Sequence, residues 1–218
     1  MTGEWSPVDP DDLPVGQPVP EVRVDPPARA MLRGSLVTLE PVDPDRHAEE
    51  LFAAAHGSPA ADAVWTYMPY GPFPDAGGMR TWLASLTASE DPLFFAVTRD
   101  GRAIGMTSYL NVDTAMRRLE IGHIWYGPAD QRTGANTEAC LLMLRWAFDA
   151  GYRRVEWKCD ALNARSRAAA ERLGFGFEGV FRRHMIVKGR NRDTAWFSVV
   201  DEGWPQVRRQ LEARLASA

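Results

Sequence analysis

The stretch ADQRTGANTEACLLMLRWAFDAG, residues 129–151, begins as a polar turn around Gly134 and continues as an apolar segment. The apolar residues follow i, i+3, i+4, i+7 spacing and are Ala139, Leu142, Met143, Trp146, Ala147 and Ala150. This periodicity predicts a helix over roughly 134–150 that Gly151 ends. The first N–H groups of a helix have no partner within it and, with the helix dipole, can bind phosphate. The stretch therefore predicts a phosphate-binding turn at the start of a helix.

Strand and helix patterns alternate on both sides of this turn. Strands are predicted at 35–42, 93–99, 102–112, 117–126, 153–161, 179–187 and 192–200, and further helices at 43–55, 75–89, 163–175 and 204–216. Asp100-Gly101 is typical of a tight hairpin turn, and a second hairpin is predicted around Lys188-Gly189. The pattern predicts an α/β fold: a mixed, largely antiparallel twisted sheet with helices on both faces.

The first 30 residues differ in composition from the rest of the chain. They contain seven of the 16 prolines, which predicts an extended arm, whereas residues 31–218 have the composition of one folded domain. Val22 and Val24 alternate within the arm, so two interpretations stay open. The arm is disordered, or part of it docks along the body or along the second subunit of a homodimer.

Charge and cysteine usage exclude several classes of partner. The net charge is -4 and no basic stripe occurs, which argues against nucleic acid. No apolar segment approaches the ~18 residues that a membrane span requires, and no leader pattern is present. Cys140 and Cys159 lie outside any C-x-x-C pair and have no histidine at ligand spacing. We expect a cytoplasmic protein with two buried free thiols and no metal.

Other glycine patterns do not fit a nucleotide site. The chain has no G-x-x-x-x-G-K-[ST] sequence. Gly174, Gly176 and Gly179 form a G-x-G-x-x-G, but it follows a predicted helix and leads into a strand, the reverse of the dinucleotide-binding order. These glycines are interpreted as a helix stop and a turn.

The segment QRTGAN (131–136) follows the strand LEIGHIWY and opens a helix. It resembles the Q/R-x-x-G-x-G/A segment of the GNAT superfamily of N-acetyltransferases, and the chain looks close to the Rim-type branch that acetylates ribosomal-protein N-termini. Gln131, Arg132 and Gly134 match that segment, whereas Asn136 departs from its Gly or Ala. NARSRAAAERLGF (163–175) matches a second family helix, and the resemblance covers about 32–202.

The resemblance implies a GNAT fold and acetyl-CoA as cosubstrate. Its pyrophosphate would meet the backbone of the turn, formed by Gln131, Arg132, Thr133, Gly134, Ala135, Asn136 and Thr137. The backbone of Ile124 and Trp125 would pair with pantetheine as an added strand does. Asn163 matches an asparagine that hydrogen-bonds pantetheine, although it could simply cap its helix. Arg167, like Arg165, could meet a phosphate or be a solvated arginine.

Acetyl transfer to an amine requires a base that removes a proton from the nitrogen. Glu120 is the candidate base because it lies on the strand before the turn, and a buried unpaired carboxylate is costly. Its neighbours Leu119 and Ile121 should face the other way. The alternative role is a salt bridge to Arg117, Arg118 or an arginine of a neighbouring strand. His123, at an odd offset, should face away from Glu120 unless the strand bulges.

The resemblance assigns Ser166 to the leaving thiolate, with a plain surface serine as the alternative. His184 lies on the later hairpin, which in the family borders the acceptor site, and is a second candidate base or an acceptor contact. The acceptor wall is expected in the aromatic segment 64–73, at Trp65, Tyr67, Tyr70 and Phe73. An aromatic slot suits a peptide N-terminus or an apolar amine, whereas the alternative is a satellite core under a long loop.

These residues favour acetyl-CoA-dependent N-acetylation of a primary amine, with a protein or peptide N-terminus as one acceptor. A small-molecule amine or antibiotic is the alternative acceptor. A different class is a family member that binds acyl-CoA as a sensor without turnover. Asn136 leaves that class open, whereas the presence of Glu120, Ser166 and Asn163 argues against it.

Overall fold

The computed structural model describes residues 15–217, and within them eight strands form one sheet with helices on both faces. The strands are β1 (Leu32–Arg33), β2 (Thr38–Pro41), β3 (Leu93–Arg99), β4 (Arg102–Asp113), β5 (Arg118–Tyr126), β6 (Arg154–Asp160), β7 (Gly176–Val187) and β8 (Arg190–Val200). Their order is β1-β2-β3-β4-β5-β6-β8-β7, and only β5 and β6 pair in parallel. The predicted mixed, largely antiparallel sheet is confirmed.

The helices are α1 (Pro44–Ala55), α2 (Pro59–Asp62), α3 (Ala76–Leu86), α4 (Ala135–Asp149), α5 (Ala164–Arg172) and α6 (Trp204–Ala216). Their starts follow from the sequence, because small polar side chains accept hydrogen bonds from the first free N–H groups. Asp43 caps α1, Asp75 caps α3 and Asn163 caps α5. The long segment between α1 and α3 contains α2 and a 3-10 turn, Ala63–Tyr67.

Two apolar clusters fill the two faces of the sheet. The first cluster contains α4, α5 and α6 residues packed on side chains such as Leu119, Ile121 and Phe197. The second contains α1 and α3 residues packed on Phe94, Met106 and other side chains of the opposite face. Because the two clusters use alternate residues of the same strands, they confirm helices on both faces.

The two predicted hairpin turns are present. Asp100 and Gly101 both have positive φ, at 52° and 77°, and so do Lys188 and Gly189, at 49° and 72°. Two consecutive positive φ values fit the twist of the flanking strands, and a glycine at the second position adopts them without strain.

The interpretation of the later glycines was only partly right. Gly174 follows α5 with φ of 90°, as expected of a helix stop. Gly176 instead begins β7, and Gly179 lies inside that strand where its register with β8 shifts between Phe177 and Gly179. Gly176 and Gly179 thus belong to β7 and to a bulge within it, and not to a turn.

The part of the arm that the structure describes, residues 15–30, has no helix or strand. Val24 is nevertheless buried, with 6% exposure, and belongs to the first apolar cluster. The Tyr152 hydroxyl donates to the Asp25 carbonyl at 3.0 Å. These contacts fasten residues 24 and 25 to the body beside the end of α4. Residues 1–14 of the predicted arm lie outside the described residues.

Candidate active site

The predicted phosphate turn connects β5 to α4 and is fixed by its own side chains. Gln131 Nε2 donates to the Tyr126 carbonyl at 3.0 Å, and Thr133 Oγ1 donates to the Asp130 carbonyl at 2.8 Å. Asp130 is itself buried and hydrogen-bonded to Arg99. The side chains hold the turn in place, so its backbone N–H groups stay available for a ligand.

No side chain caps α4, in contrast to α1, α3 and α5. Within the described residues the N–H groups of Asn136 and Thr137 have no hydrogen-bond partner, and that of Ala135 meets Thr133 Oγ1 at 3.3 Å. The Ala135 side chain is buried, whereas Asn136 is half-buried. The start of α4 therefore carries unpaired donors at the positive end of the helix dipole, which suits a phosphate.

The glycine of this turn does not occupy the left-handed position of the turn. Gly134 has φ of -65°, which any residue adopts, and Arg132 is the residue with a left-handed φ of 61°. A Cβ at Gly134 would lie 2.9 Å from Leu36 Cδ1. Because Leu36 is 42% exposed and its side chain can move aside, this contact shows that the loop before β2 lies against the turn but does not by itself require glycine.

That loop is held by one buried carboxylate of α4. Glu138 Oε1 accepts from Ser35 N at 2.9 Å and Ser35 Oγ at 2.7 Å, and Oε2 accepts from Leu36 N and Val37 N, both at 2.7 Å. Burial raises the pKa of Glu138, but these hydrogen bonds together outweigh burial and hold it below its ordinary value. Glu138 thus fixes the loop against the phosphate turn.

The sheet opens between β5 and β6 next to this turn. The two strands pair from Arg118–Glu120 to Arg154–Glu156, and each then continues, β5 to Tyr126 and β6 to Asp160. A Cβ at Gly105 of β4 would come within 2.2 Å of the Trp125 carbonyl oxygen, so that carbonyl faces β4. Because backbone groups alternate along a strand, the backbone of Ile124 faces the opening.

Glu120 lies at the last paired position before the strands separate. It is 2% exposed, and Leu119 and Ile121 are buried in the first apolar cluster on the other face, as predicted. Glu120 Oε2 accepts from Asn111 Nδ2 at 2.7 Å and is 2.9 Å from Lys158 Nζ. Oε1 has no hydrogen-bond donor within the described residues. The carboxylate is thus anchored through one oxygen, and the other is free.

The surroundings of Glu120 make it a stronger base than an exposed glutamate. Burial raises its pKa, and the attraction of Lys158 with the hydrogen bond from Asn111 offsets this only in part. Repulsion from Glu156, which lies beside it on β6, acts in the same direction as burial. The alternative role named from the sequence was a salt bridge to an arginine; Glu120 does form an ion pair, but its partner is Lys158.

His123 shares the face of Glu120 because β5 is irregular here. His123 has φ of 52°, and the register with β4 shifts between Met106 and Ser108. Its ring lies 5.6 Å from Tyr70 and 4.9 Å from Phe94, which belong to the second apolar face. Burial, reinforced by nearby positive charge, lowers its pKa to about 4, so the imidazole is neutral at pH 7.

The predicted aromatic wall forms a packed group above this face. Trp65 is 1% exposed and donates from Nε1 to the Ala55 carbonyl at 2.8 Å, so it is a core residue. Phe73 packs on its edge at 5.4 Å, and Tyr70 lies 6.1 Å away. The Tyr70 hydroxyl is buried without a hydrogen-bond partner, and burial raises its pKa. Trp65 therefore fits the alternative of a satellite core, whereas Tyr70 reaches His123.

Three long-range hydrogen bonds, made by the side chains of Lys188 and Tyr67, fasten this aromatic segment to other parts of the chain. Lys188 Nζ, at the β7–β8 turn, donates to the carbonyls of Trp65 at 2.9 Å and Gly71 at 2.8 Å. Tyr67 donates from its hydroxyl to the Leu162 carbonyl at 3.2 Å. The aromatic segment is thus tied to the β7–β8 hairpin and to the loop before α5.

A family model described as "Acetyltransferase (GNAT) domain" matches residues 37–176, which is more than half of the chain. The chain belongs to the GNAT acetyltransferase family. It is 31% identical over 178 residues to "Putative ribosomal N-acetyltransferase YdaF" of Bacillus subtilis (strain 168), covering 76% of this chain and 90% of that protein. The family and this relative show that the chain is an N-acetyltransferase and agree with the Rim-type resemblance.

Solved structures give the same family assignment. A GCN5-related N-acetyltransferase from Brucella melitensis superposes with a TM-score of 0.84 at 43% identity, covering 88% of this chain and 87% of that one. The microcin C7 self immunity acetyltransferase MccE, solved with acetyl-CoA and AMP, superposes with a TM-score of 0.68 at 24% identity, covering 77% of this chain and 93% of that one. The second likeness concerns the fold alone.

In this GNAT enzyme, α5 places the residues assigned to the thiolate and pantetheine beside β6. Asn163 Oδ1 accepts from Ser166 N at 3.1 Å, so the predicted cap is present. Ser166 Oγ accepts from Trp157 Nε1 at 3.1 Å, and the same side chain hydrogen-bonds the thiol of Cys159. Arg167 NH1 donates to the Ala161 carbonyl at 3.4 Å, and its Nε is buried without a partner. Arg165 is exposed.

His184 lies on β7, far along the sheet from the phosphate turn. Its Nδ1 is 3.0 Å from Thr194 Oγ1, and its ring packs against Phe181 at 5.5 Å and Trp196 at 5.9 Å. These neighbours place it on the same side of the β7–β8 hairpin as Trp196, and its role at the acceptor stays a prediction.

Several residues of this site were missed from the sequence: Asn111, Lys158, Lys188, Arg192 and Trp196. One sequence feature could have found two of them, because Lys158 and Lys188 are the only lysines of the chain. Each makes a specific contact in the site, Lys158 with Glu120 and Lys188 with the aromatic segment. The other three lie on strands whose pairing is set by the tertiary structure.

Residues 15–217 contain no cluster of His, Cys, Asp or Glu that could hold a metal ion. None of their helices has the length and apolar character required to cross a bilayer. Cys140 and Cys159 are buried free thiols, as predicted.

Proposed function

We propose that this enzyme transfers an acetyl group from acetyl-CoA to a primary amine by direct attack, with Glu120 as the base. The amine nitrogen forms a bond to the thioester carbonyl carbon, and the bond from that carbon to sulfur breaks. The amine proton passes to Glu120, directly or through a water molecule, and the thiolate takes a proton from Ser166 or from solvent. The observation that carries the proposal is the free Oε1 of a buried carboxylate with a raised pKa.

The cofactor half of the proposal rests on the unpaired donors of the turn. The N–H groups of Asn136 and Thr137 at the positive end of α4 are suited to a pyrophosphate. The backbone of Ile124 at the opening between β5 and β6 is suited to pantetheine. Asn163 and Arg167 would contact the same arm from α5, and Asn136 fits the site because its side chain is half-buried and not packed in the core.

The acceptor half of the proposal places an amine between the aromatic segment and the β7–β8 hairpin. Tyr67, Tyr70 and His184 border that space, whereas Trp65 and Phe73 support it from within the second cluster. A protein or peptide N-terminus is the acceptor suggested by the name of the Bacillus subtilis relative.

The deciding experiment compares Glu120→Gln with the wild type. Glutamine keeps the size and one hydrogen-bond acceptor but removes the basic oxygen. General bases contribute roughly 10²–10⁴-fold. We expect turnover, measured as thiol release from acetyl-CoA with a panel of amines, to fall by that factor at neutral pH. A higher pH should partly restore it, because more of the amine is then already neutral.

Glu156→Gln is the matched control, since Glu156 is the buried glutamate beside Glu120 on β6 and is held by Arg154 at 2.7 Å. Its turnover should fall far less. Calorimetry should give the same CoA affinity for the wild type and Glu120→Gln. A folded Glu120→Gln enzyme with near-normal turnover across the pH range would remove Glu120 as the base. CoA binding without thiol release for any amine would instead favour an acyl-CoA sensor.

A further inference from the structure

Arg192 on β8 is a cation without a counterion on the face of the sheet that carries Glu120. Side chains alternate along β8: Ala195 and Phe197 are buried in the first cluster, so Arg192 and Trp196 point to the opposite face. Trp196 lies there against Lys158, whose Nζ is 5.2 Å from the indole centre and ion-pairs with Glu120. Arg192 thus lies on the same face of the sheet as the reactive carboxylate, nearer the start of β8 than Trp196.

The carboxylates nearest along the chain and across the sheet have other partners. Asp193 points the other way, and its Oδ1 accepts from Arg183 N at 2.8 Å. Asp160, which faces Thr194, accepts from Leu162 N at 2.9 Å. Within residues 15–217, the Arg192 side chain makes no ion pair within 4.0 Å and no hydrogen bond; the residue is half-buried, and its Nε is fully buried. A buried guanidinium N–H without an acceptor is costly, so a missing acceptor is expected.

The surroundings add a second donor and more positive charge. Trp196 Nε1, further along the same face, is also buried without a partner. Both Lys158 and Arg192 add to burial in lowering the pKa of His123, so both cations lie near that imidazole. Lys158 is neutralised by Glu120, which leaves the charge of Arg192 uncompensated. An anion is the ligand that satisfies this arrangement, since a guanidinium binds carboxylate or phosphate with two parallel hydrogen bonds.

We propose that Arg192 binds an anionic group of the acceptor, so that the preferred substrate is an amine that also carries a carboxylate or a phosphate. This inference rests on the proposed function, because the amine must lie at Glu120 for its anionic group to reach Arg192. Trp196 supplies a neighbouring donor and an aromatic surface between the two ends of the substrate. The anion could belong to a small amino acid or aminoalkyl phosphate, or to an acidic side chain of a peptide N-terminus.

The test uses pairs of acceptors in which one member carries an anionic group and the other does not. Beta-alanine is compared with its amide and phosphoethanolamine with ethanolamine, and a peptide with Asp at its second position is compared with the Asn peptide. Thiol release gives kcat and KM for each. The wild type should prefer the anionic member by roughly 10–100-fold in kcat/KM, through KM, as for the loss of one charged hydrogen-bonding pair.

Arg192→Gln should remove that preference, and Arg192→Lys should keep part of it. Arg209→Gln is the matched control, because Arg209 is exposed on α6 and loses the same charge. A preference confined to the peptide pair identifies a peptide, and one shared by the small amines identifies a small molecule. Equal use of charged and neutral members by the wild type, or an unchanged preference in Arg192→Gln, overturns the proposal.

Binding measurements test the anion site even if the protein does not catalyse acetyl transfer. If the wild type releases no thiol with any amine, calorimetry of beta-alanine and phosphoethanolamine against the CoA-saturated protein replaces turnover. Binding that Arg192→Gln weakens at least tenfold supports the anion site even then. Binding that is absent, or equal in both proteins, rejects it.

Discussion

Replacing Lys158 by Met tests how the site keeps Glu120 charged. The ion pair spans 2.9 Å, and its side chains are 18% and 2% exposed. Breaking a buried pair by removing one partner costs roughly 3–5 kcal/mol. Lys158 retains some contact with water and Asn111 still donates to the carboxylate, so we expect about 3 kcal/mol at pH 8. For a domain of this size that corresponds to a fall of about 6–12 °C in Tm.

The sign of the pH dependence follows from the pKa of Glu120. Lys158 favours the charged carboxylate, so its loss moves an already raised pKa further up. A carboxyl group whose pKa is higher in the folded than in the unfolded state contributes its full stabilisation at a pH below the unfolded-state pKa. This stabilisation is lost as pH rises through the pKa of the folded state. The variant should therefore differ little from the wild type near pH 4 and most at pH 8. In the pH profile of kcat/KM, activity falls on the acidic side as Glu120 becomes protonated. This acidic limb should move to higher pH in the variant.

Urea denaturation at several pH values and pH profiles of thiol release measure both effects. Lys188→Met, at the only other lysine, removes the same charge without touching Glu120 and should leave the acidic limb in place. The double variant Lys158→Met/Glu120→Gln should recover part of the lost stability, because no carboxylate is then left unpaired. An acidic limb that stays where it is in a folded Lys158→Met enzyme would refute this reasoning.

Two further predictions concern elements around the site. Glu138→Gln should lower the free energy of unfolding by about 3–5 kcal/mol in urea denaturation at pH 7, because an amide can keep only two of the four hydrogen bonds of the carboxylate. The stability advantage of the wild type should disappear as pH falls through the lowered pKa of Glu138, and an unchanged urea midpoint would contradict the role of Glu138. Deleting residues 1–30 should leave CoA affinity unchanged in calorimetry but should cost roughly 2–4 kcal/mol of stability, because the burial of Val24 and the Tyr152–Asp25 hydrogen bond are lost. A truncated protein as stable as the wild type would show that the docked segment contributes nothing.

The element pattern could be predicted from the sequence because it depends on local physics. Apolar periodicity placed the helix now seen at 135–149, and Asp43 and Asn163 cap helices because their short side chains reach the first free N–H groups. Asp100 and Gly101 join β3 to β4 with two consecutive left-handed residues, the conformation that an Asp-Gly sequence favours in a tight hairpin turn. The turn at 131–137 could be placed in the same way, since it is a contiguous segment, and its binding of phosphate stays a prediction.

The tertiary structure alone decided which side chains meet. Glu120 and Lys158 are 38 positions apart in the sequence, and the parallel pairing of β5 with β6 brings them to 2.9 Å. Strand alternation predicted that His123 would face away from Glu120, but one left-handed residue and a register shift turned it to the same face. The unpaired state of Arg192 depends on where Asp160 and Asp193 point, which no periodicity reveals. Sequence determined the elements and the position of the turn before α4 because those follow from residues close together along the chain, whereas the pairing, charge balance and burial around Glu120 depend on contacts between distant residues.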